Sequence, residues 1–433
     1  MTDFHIQPSA GLQGELTLPG DKSVSHRSVL LASLADNDTN ITGFLTGEDT
    51  MNTAKAMQML GVEIDGLGTG NLFVRGRGVE GLSEPTGVLD LGNSGTGMRL
   101  LAGLLAGQNF FSVLTGDHYL VKRPMARIVD PLRRMGVQID GRNGGKLAPL
   151  AIRGRGKQIT AIEYASPVAS AQVKSALLLA GLYADGETTV VEPSKSRDHT
   201  ERMLRYFGVE LTEQGHRVTL RGGQRLKSPG ALAVPADISS AAFFLVGAAI
   251  VPGSDILVRN VGVNPTRTGI LDVLSAMGAN VMLENQREQA GEPVADIRVR
   301  HARLKAMELG GDMIPRAIDE LPIIAVAASY AEGTTVIRDA AELRLKESDR
   351  IATTVSELRK MGARIEELPD GMRITGREAL DGAVCESHGD HRIAMATAVA
   401  GLAARGQTVV TDTGWIDTSF PGFEALLRRT AYR

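Results

Sequence analysis

The sequence predicts an α/β (α+β) protein of two domains, each built from three similar βαβαββ units. Three observations carry this prediction: a glycine-terminated helical segment that recurs five times, a small-residue apolar segment that recurs six times, and a likeness between the starts of the two halves of the chain. At 433 residues with 43% hydrophobic content, the chain is also long enough to bury two cores.

The first recurring segment is helix-like and amphipathic, and it ends in glycine followed by an apolar residue. Its five copies read AMQMLGVEI, PLRRMGVQI, MLRYFGVEL, VLSAMGANV and ELRKMGARI, with the glycine at Gly61, Gly136, Gly208, Gly278 and Gly362. A short strand-like piece with a basic residue near its end, such as LFVRG or LAIRG, follows each copy. The constant order of these pieces indicates a structural repeat.

The second recurring segment is a run of small and apolar residues that leads through a turn into a β-branched strand. Its six copies begin SHRSVLLASLA, GTGMRLLAGLLAG, SAQVKSALLLAGL, SSAAFFLVGAAI, DELPIIAVAAS and DHRIAMATAVAGL. Small side chains allow neighbours to approach closely on all sides, so we expect this helix to be central and the amphipathic helix to lie outside. Each unit therefore reads strand, helix, strand, helix and two strands.

The two halves are located by a likeness between TLPGDKSVSHRSVLLASLA, from Thr17, and AVPADISSAAFFLVGAAI, from Ala233. We therefore expect an N-terminal-half domain at 20–236 and a discontinuous C-terminal-half domain made of 1–19 plus 237–433. Because the sixth unit stops early, at FEALLRRTAYR, the strand around Glu15 to Leu18 is expected to complete it.

Composition and charge argue against a membrane protein, a nucleic-acid-binding protein and a metalloprotein. The start MTDFHIQPSAG has no signal-peptide pattern and no apolar run is long enough to span a bilayer, so a cytoplasmic protein without a membrane partner is expected. A formal net charge of -3 argues against a nucleic-acid partner. With one cysteine, Cys385, and eight histidines that show no metal-binding spacing, we expect neither a metal nor a cofactor.

Polar residues gather where the small-residue helices are predicted to begin. These starts are Lys22 to Arg27, Asn93 to Gly97, Ser170 to Gln172, Asp237 to Ser240, Asp319-Glu320 and Asp390 to Arg392. Helix capping explains the Ser, Asp and Asn residues. It does not explain Lys22, Arg27 or Arg392, because a cation at a helix N-terminus opposes the helix dipole. A small anion bound at these helix starts would offset that cost.

Seven motifs then carry a family resemblance. In order they are LPGDKSVSHR, LGNSGTGMR, KRPM, SAQVKSALLLAGL, NPTRTG, KESDR and GDHRIAM, and they extend from Leu18 to about Phe423. This series resembles the 5-enolpyruvylshikimate-3-phosphate synthase family. The resemblance implies two domains of the enolpyruvyl transferase type, an inside-out α/β barrel, with the active site in the cleft between them. It implies transfer of the enolpyruvyl group of phosphoenolpyruvate to the 5-hydroxyl of shikimate 3-phosphate, through a tetrahedral adduct that loses phosphate.

The resemblance also implies the site residues. The ligands expected for shikimate 3-phosphate are Lys22, Ser23, Arg27, Ser170, Gln172, Arg197, Asp319 and Lys346. The ligands expected for phosphoenolpyruvate are Lys22, Gly95, Arg123, Gln172, Arg350 and Arg392. Three residues are expected to be catalytic: Asp319 near the attacking hydroxyl, Glu347 near the methylene carbon, and Lys22 at the bridging oxygen. Whether Glu347 or Lys22 delivers the proton to the enol stays open. The inhibitor glyphosate is expected at the phosphoenolpyruvate position, and a monomer is expected.

Two departures from the family pattern resemble the branch called class II. Ala171 stands where many members have serine, and Thr418 where many have lysine. The nearest alternative function is that of the related UDP-N-acetylglucosamine enolpyruvyl transferase, but the stretch LTGDHYLVKRPM lacks its loop cysteine. A non-enzymatic repeat scaffold is the second alternative, although a scaffold does not need an acid, a base and arginines in the same loops. Cys385 is expected to have no catalytic role.

Overall fold

A computed structural model describes residues 3–432 of the chain. Met1, Thr2 and Arg433, which the predicted C-terminal-half domain includes, lie outside the described residues. Contacts divide the chain into two compact units. The first, called the N-half, contains Gly20–Val234 and Gln289–Glu292. The second, called the C-half, contains the residues up to Pro19, Pro235–Glu288 and the residues from Pro293 onward.

Apart from the short segments Arg142–Gly145 and Met313–Ala317, the helices alternate between a central and an outer type along the chain. In order they are α1 Lys22–Leu34, α2 Glu48–Met59, α3 Gly95–Ala106, α4 Ala126–Arg134, α5 Arg142–Gly145, α6 Ala171–Gly181, α7 His199–Tyr206, α8 Ile238–Ile250, α9 Gly269–Ala276, α10 Met313–Ala317, α11 Leu321–Ser329, α12 Arg350–Lys360, α13 His391–Leu402 and α14 Phe423–Thr430.

Within residues 3–432 the strands are short and form six sheets. In order they are β1 Phe4–Ile6, β2 Gly11–Leu16, β3 Thr39–Thr42, β4 Ile64–Asp65, β5 Leu72–Val74, β6 Leu89–Asp90, β7 Phe111–Thr115, β8 Gln138–Gly141, β9 Leu147–Arg153, β10 Glu163–Ala165, β11 Glu187–Val191, β12 Leu211–Gln214, β13 Arg217–Arg221, β14 Ala231–Ala233, β15 Asp255–Gly262, β16 Asn280–Gln289, β17 Glu292–Arg300, β18 Glu308–Leu309, β19 Thr334–Ile337, β20 Arg364–Leu368, β21 Gly371–Thr375, β22 Val384–Glu386, β23 Thr408–Thr411 and β24 Ala431–Tyr432.

One sheet topology recurs in both halves. In the second unit of the N-half the strand order is β6-β7-β9-β8, with β6 parallel to β7 and the other pairs antiparallel. The sheets β10-β11-β13-β12 and β18-β19-β21-β20 repeat this order. A parallel pair needs a crossover, and the central helix supplies it: α3 between β6 and β7, α6 between β10 and β11. The predicted βαβαββ unit is therefore present in the structure.

Two sheets obtain their first strand from a distant part of the chain. β14 lies parallel to β3 in the first sheet of the N-half, and β2 lies parallel to β15 in the first sheet of the C-half. In the latter pairing Glu15 is opposite Leu257. The expectation that the strand around Glu15 to Leu18 completes the sixth unit is therefore wrong. The preceding strand β1 completes that unit by antiparallel pairing with β23. Residues 3–19 contain two strands rather than one, so the sheet of β15 and the sheet of β23 each receive a strand from this segment.

The central helices are buried, as their small side chains predict. Every residue of α8 is buried, and in α1 only the first two residues are partly exposed. The repeat glycine has a structural reason as well. Gly61, Gly136, Gly208, Gly278 and Gly362 all adopt positive φ, between 76° and 88°, one residue past the C-cap of an outer helix. This is the left-handed helix-ending position that glycine occupies without strain. Among residues 3–432, no helix combines the length and apolar character needed to cross a membrane.

Candidate active site

The start of α1 brings a lysine and an arginine to one end of the N-half. The Asp21 side chain caps the helix by accepting from the Val24 backbone N–H at 2.8 Å. Lys22 is partly exposed, and its Nζ lies 3.1 Å from Oδ2 of Asp49 on α2. Asp49 therefore holds the lysine expected to contact both substrates. Sequence reasoning missed Asp49, although an acidic residue in the first turn of the next helix is a recognisable signal.

Arg27 is buried one turn further along α1, and neutral groups surround its guanidinium. Nε donates to Thr200 Oγ1 at 2.6 Å, Nη2 to Ser175 Oγ at 2.7 Å, and Nη1 to the Ser23 carbonyl at 2.9 Å. Burial lowers the pKa of Arg27 to about 10, while the Glu201 carboxylate opposes the shift. The half-buried Arg197 is another cation close enough to lower this pKa further.

A buried histidine connects α1 to α2 and to the start of α3. The buried His26 ring links α1 to Thr53 on α2 at 2.8 Å and to Ser94, the N-cap of α3, at 3.5 Å. Burial, followed by Lys22 and Arg27, holds the pKa of His26 well below its ordinary value, so this histidine is neutral. It acts as a structural connector rather than a ligand.

Gly95 opens α3 against two arginines. A Cβ at this position would lie 3.0 Å from Arg99 Nη1 and 3.2 Å from Arg123 Nη1. Arg123 donates to the carbonyl of Asn93 at 3.3 Å and to its side-chain oxygen. Arg99, in the motif LGNSGTGMR, was missed by the sequence analysis although it is the one cation inside that motif. Its Nη1 donates to Oε1 of Gln172 at 2.6 Å.

Gln172 and Ser170 lie at the start of α6. Gln172 Nε2 donates to Thr96 Oγ1 at 2.9 Å, so this amide is held between α3 and Arg99. Ser170 is the N-cap of α6 and accepts from the Val173 N–H at 3.5 Å, which confirms its capping role. Through these contacts the starts of three central helices form one group. Together with Arg197, which acts on Arg27 electrostatically, its residues are called the N-half cluster: Lys22, Ser23, Arg27, Gly95, Arg99, Arg123, Ser170, Gln172 and Arg197.

The C-half contains a second group, in which carboxylates pair directly with cations. Asp319 lies on the short 3₁₀ turn Ile318–Glu320 that leads into α11. Its Oδ1 is 3.2 Å from Lys346 Nζ and 3.3 Å from Arg350 Nη1. Glu347 Oε2 is 2.5 Å from Arg350 Nη2. The resemblance placed these four residues in one site, and the structure brings them into direct contact.

Arg350 is fully buried and is surrounded by three carboxylates. Besides Asp319 and Glu347, it donates from Nε to Oδ2 of the buried Asp390 at 2.8 Å. Burial disfavours the charged form, but Asp390, Glu347 and Asp319 outweigh it and raise the pKa of Arg350 above its ordinary value. Although burial opposes it, Arg350 lowers the pKa of Asp390. Asp390, which the sequence indicated only as a helix cap, is the N-cap of α13, where its side chain accepts from the Arg392 N–H at 2.9 Å.

Arg392 joins the start of α13 to the turn that carries Asp319. Its Nη1 donates to the Asp319 carbonyl at 2.9 Å and lies 3.6 Å from Oε1 of Glu320. Glu320 also accepts from Ser239 at the start of α8. The starts of three central helices are thus joined in this half too. The residues Asp319, Lys346, Glu347, Arg350, Asp390 and Arg392 are called the C-half cluster.

The structure also places three further residues that the sequence singled out. Ala171 is the first residue of α6, and Thr418 ends a 3₁₀ turn, where its hydroxyl donates to the Trp415 carbonyl at 2.7 Å. Cys385 is buried in β22, and burial raises the pKa of its thiol to about 12. A thiol with this pKa is not a thiolate nucleophile near neutral pH. Among residues 3–432, no group of three or more His, Cys, Asp and Glu side chains is arranged to hold a metal ion.

Fold and site together define an α/β protein whose central helices begin at groups of arginine, lysine and carboxylate side chains, as expected of an enzyme for small anionic substrates. A family model described as EPSP synthase (3-phosphoshikimate 1-carboxyvinyltransferase) matches residues 6–427. The chain belongs to this family.

Individual relatives agree with the family model. The chain is 59% identical over 427 residues to the 3-phosphoshikimate 1-carboxyvinyltransferase of Geobacter sp. (strain M21), covering 99% of each chain. It is 58% identical to the enzyme of the same name from Geobacter sulfurreducens, covering 100% of each. Its structure is similar to that of EPSP synthase from Acinetobacter baumannii, with a TM-score of 0.90, 46% identity and coverage of 100% of this chain and 98% of the other. These matches confirm the predicted family, mixed α/β fold class and enzyme activity, and they do not favour the two alternatives.

Proposed function

We propose that the N-half and C-half clusters together carry out the reaction of this family. In it the enolpyruvyl group of phosphoenolpyruvate moves to the 5-hydroxyl of shikimate 3-phosphate and phosphate is released, a step of aromatic amino acid biosynthesis. The observation that supports this assignment best is the set of contacts around Arg350 and Asp319. There the proposed base Asp319 and the acid candidate Glu347 are hydrogen-bonded to cations that could hold an anionic substrate, Lys346 and Arg350.

Shikimate 3-phosphate is assigned mainly to the N-half cluster, with Ser23, Arg27, Ser170, Gln172 and Arg197 as ligands. Arg27 is suited to a phosphate because three of its N–H groups are engaged by neutral protein atoms. A guanidinium has five N–H donors, so one remains on each terminal nitrogen for a bidentate contact. Lys22, Asp319 and Lys346 complete the proposed ligands of this substrate.

Phosphoenolpyruvate is assigned to Lys22, Arg123, Gln172, Arg350 and Arg392, with Gly95 leaving room beside it. This substrate carries a carboxylate and a phosphate, and planar guanidinium groups bind both in a bidentate manner. Arg99 is added to the proposed set, because it lies against Gly95 and orients Gln172.

In the chemical step, the 5-hydroxyl oxygen attacks C2 of the enol while its proton passes to Asp319, and C3 receives a proton. Asp319 accepts from Lys346 and Arg350, so it is available as a carboxylate base. Glu347 is paired with Arg350, which favours its ionised form as well. Glu347 would therefore deliver a proton that it has received from another group such as Lys22. Loss of phosphate and of one C3 proton from the adduct restores the methylene group.

An assay for phosphate release tests this proposal. We expect release only when shikimate 3-phosphate and phosphoenolpyruvate are both present, with no release when UDP-N-acetylglucosamine replaces the former. Product identified by mass should be the enolpyruvyl ether of shikimate 3-phosphate. Release with either substrate alone, or with the nucleotide sugar, would overturn the proposal.

Inhibition by glyphosate, the monomeric state and a cytoplasmic location belong to the same proposal. Glyphosate is expected to compete with phosphoenolpyruvate. In Gly95→Ala the added methyl would crowd Arg99 and Arg123, and because glyphosate is the longer molecule it should lose more affinity than phosphoenolpyruvate. Titrating glyphosate against phosphoenolpyruvate in both proteins measures this, and equal sensitivity of both would contradict it. Light scattering of the purified protein should give the mass of one chain.

A further inference from the structure

Two consecutive residues of α6 face two consecutive residues of α7 behind Arg27. Ser175 Oγ lies 2.6 Å from Thr200 Oγ1, and Lys174 Nζ lies 2.7 Å from Glu201 Oε1. All four side chains are at most 2% exposed. The contacts therefore form a double connection between the two helices, one part made of hydroxyls and the other of opposite charges. Thr200 and Glu201 lie in the segment SRDHTERM, which also contains Arg197.

The hydroxyl pair also reaches α1. Thr200 accepts from Arg27 Nε at 2.6 Å and Ser175 accepts from Arg27 Nη2 at 2.7 Å, while the hydroxyls are hydrogen-bonded to each other. Arg27 has many rotamers in an unconstrained setting, and each fixed N–H removes some of that freedom. With the Ser23 carbonyl on the third nitrogen, the plane of the guanidinium is fixed from three sides.

The ion pairs behind the hydroxyls give this arrangement its rigidity. Lys174 contacts a second buried carboxylate, Glu192 Oε2, at 2.7 Å, so α6, α7 and the end of β11 are tied at one point. Removing one member of such a buried group leaves an unpaired charge, which is costly, so the group resists rearrangement. Glu201 also acts on Arg27 electrostatically, opposing the lowering of its pKa by burial.

We propose that Thr200 and Ser175 are positioning residues for shikimate 3-phosphate: their hydroxyls hold the Arg27 guanidinium in the orientation that presents two N–H groups to the phosphate. They act through Arg27 and do not touch the substrate. This inference rests on the proposed role of Arg27. It predicts that losing either hydroxyl weakens shikimate 3-phosphate binding although the charge of Arg27 is kept.

The experiment uses the full-length enzyme with Thr200→Val, Ser175→Ala and the pair combined. A hydrogen bond to a charged group contributes enough that each single change should raise the KM for shikimate 3-phosphate by roughly 10-fold. The KM for phosphoenolpyruvate and kcat should change by less than about 3-fold, because the two hydroxyls do not contact the reacting atoms. The double variant should fall short of the product of the single effects, since the two hydroxyls share one network.

Two further variants separate positioning from general stability. Thr200→Ser keeps the hydroxyl and should restore the KM for shikimate 3-phosphate to within about 2-fold of wild type. Thr189→Val is the matched control, because Thr189 is another buried threonine of the N-half. Its hydroxyl pairs with that of Thr219 at 2.9 Å between strands β11 and β13, rather than with Arg27. It should lower the melting temperature about as much as Thr200→Val while leaving both KM values unchanged.

The outcomes distinguish this inference from the proposed function. If Arg27→Met abolishes shikimate 3-phosphate binding but Thr200→Val and Ser175→Ala leave its KM at the wild-type value, the positioning role is wrong and the role of Arg27 stands. The positioning role would also be wrong if Thr200→Val and Thr189→Val both raised the KM values for the two substrates to a similar extent. That result would indicate a general loss of folded structure. If Arg27→Met binds shikimate 3-phosphate as tightly as wild type, the proposed role of Arg27 as a ligand is itself wrong.

Discussion

The two buried arginines, Arg27 in the N-half and Arg350 in the C-half, have opposite surroundings. Arg27 donates to two hydroxyls and a carbonyl, and burial lowers its pKa. Arg350 donates to three carboxylates, which raise its pKa. A cation held by neutral groups keeps its charge for an anionic ligand, whereas a cation held by carboxylates mainly fixes those carboxylates in place. The comparison assigns binding of shikimate 3-phosphate chiefly to the N-half cluster and proton transfer chiefly to the C-half cluster, where Arg350 and Arg392 are also proposed ligands of phosphoenolpyruvate.

The largest effect is expected from Arg350→Met. This change leaves Asp319, Glu347 and Asp390 close together without their central cation, and breaking a buried ionic group costs about 3–5 kcal/mol. Urea unfolding measures the loss. The control is Arg373→Met, because Arg373 pairs with Glu366 on the exposed face of the same half and should cost less than about 1 kcal/mol. Equal losses in the two variants would show that the carboxylates do not depend on Arg350.

Next in size are the charge-removing substitutions Asp319→Asn and Glu347→Gln. Each keeps the size of the side chain and removes a group for proton transfer, so turnover should fall by roughly 10²-fold or more. Steady-state kinetics with both substrates varied gives kcat and each KM. If kcat is unchanged and only the KM values rise, the assignment of proton transfer to these two carboxylates is wrong.

The smallest expected effect concerns His26, which the N-half keeps neutral. Its folded pKa is depressed, so below the ordinary value of about 6.5 the unfolded chain takes up a proton that the folded chain does not. Stability is therefore lost as pH falls, by about 1.4 kcal/mol between pH 7.5 and pH 5.5 from this residue alone. His26→Gln should reduce the pH dependence of the free energy of unfolding by that amount. An identical pH dependence in wild type and variant would contradict the assignment of a neutral histidine.

The sequence predicted the repeated unit because its signals are local: the terminal glycine of the outer helix and the small residues of the central one. The prediction was wrong where two paired strands lie far apart in the sequence. Nothing near Glu15 indicates that its partner is Leu257 rather than a strand of the sixth unit. The same limit applies to the site. Motifs identified Arg27 and Arg350, but their partners Thr200, Ser175 and Asp390 lie far away in sequence, and ordinary capping or core positions conceal their role.

Calorimetric titration of shikimate 3-phosphate into Arg27→Met and Asp319→Asn tests the division between the clusters most directly. The two substitutions each remove one charge, one from each half of the chain. We predict that Arg27→Met loses measurable binding, while Asp319→Asn binds within about 10-fold of wild type and lacks turnover. Retained binding in Arg27→Met together with lost binding in Asp319→Asn would contradict the assignment of shikimate 3-phosphate binding chiefly to the N-half and of proton transfer chiefly to the C-half.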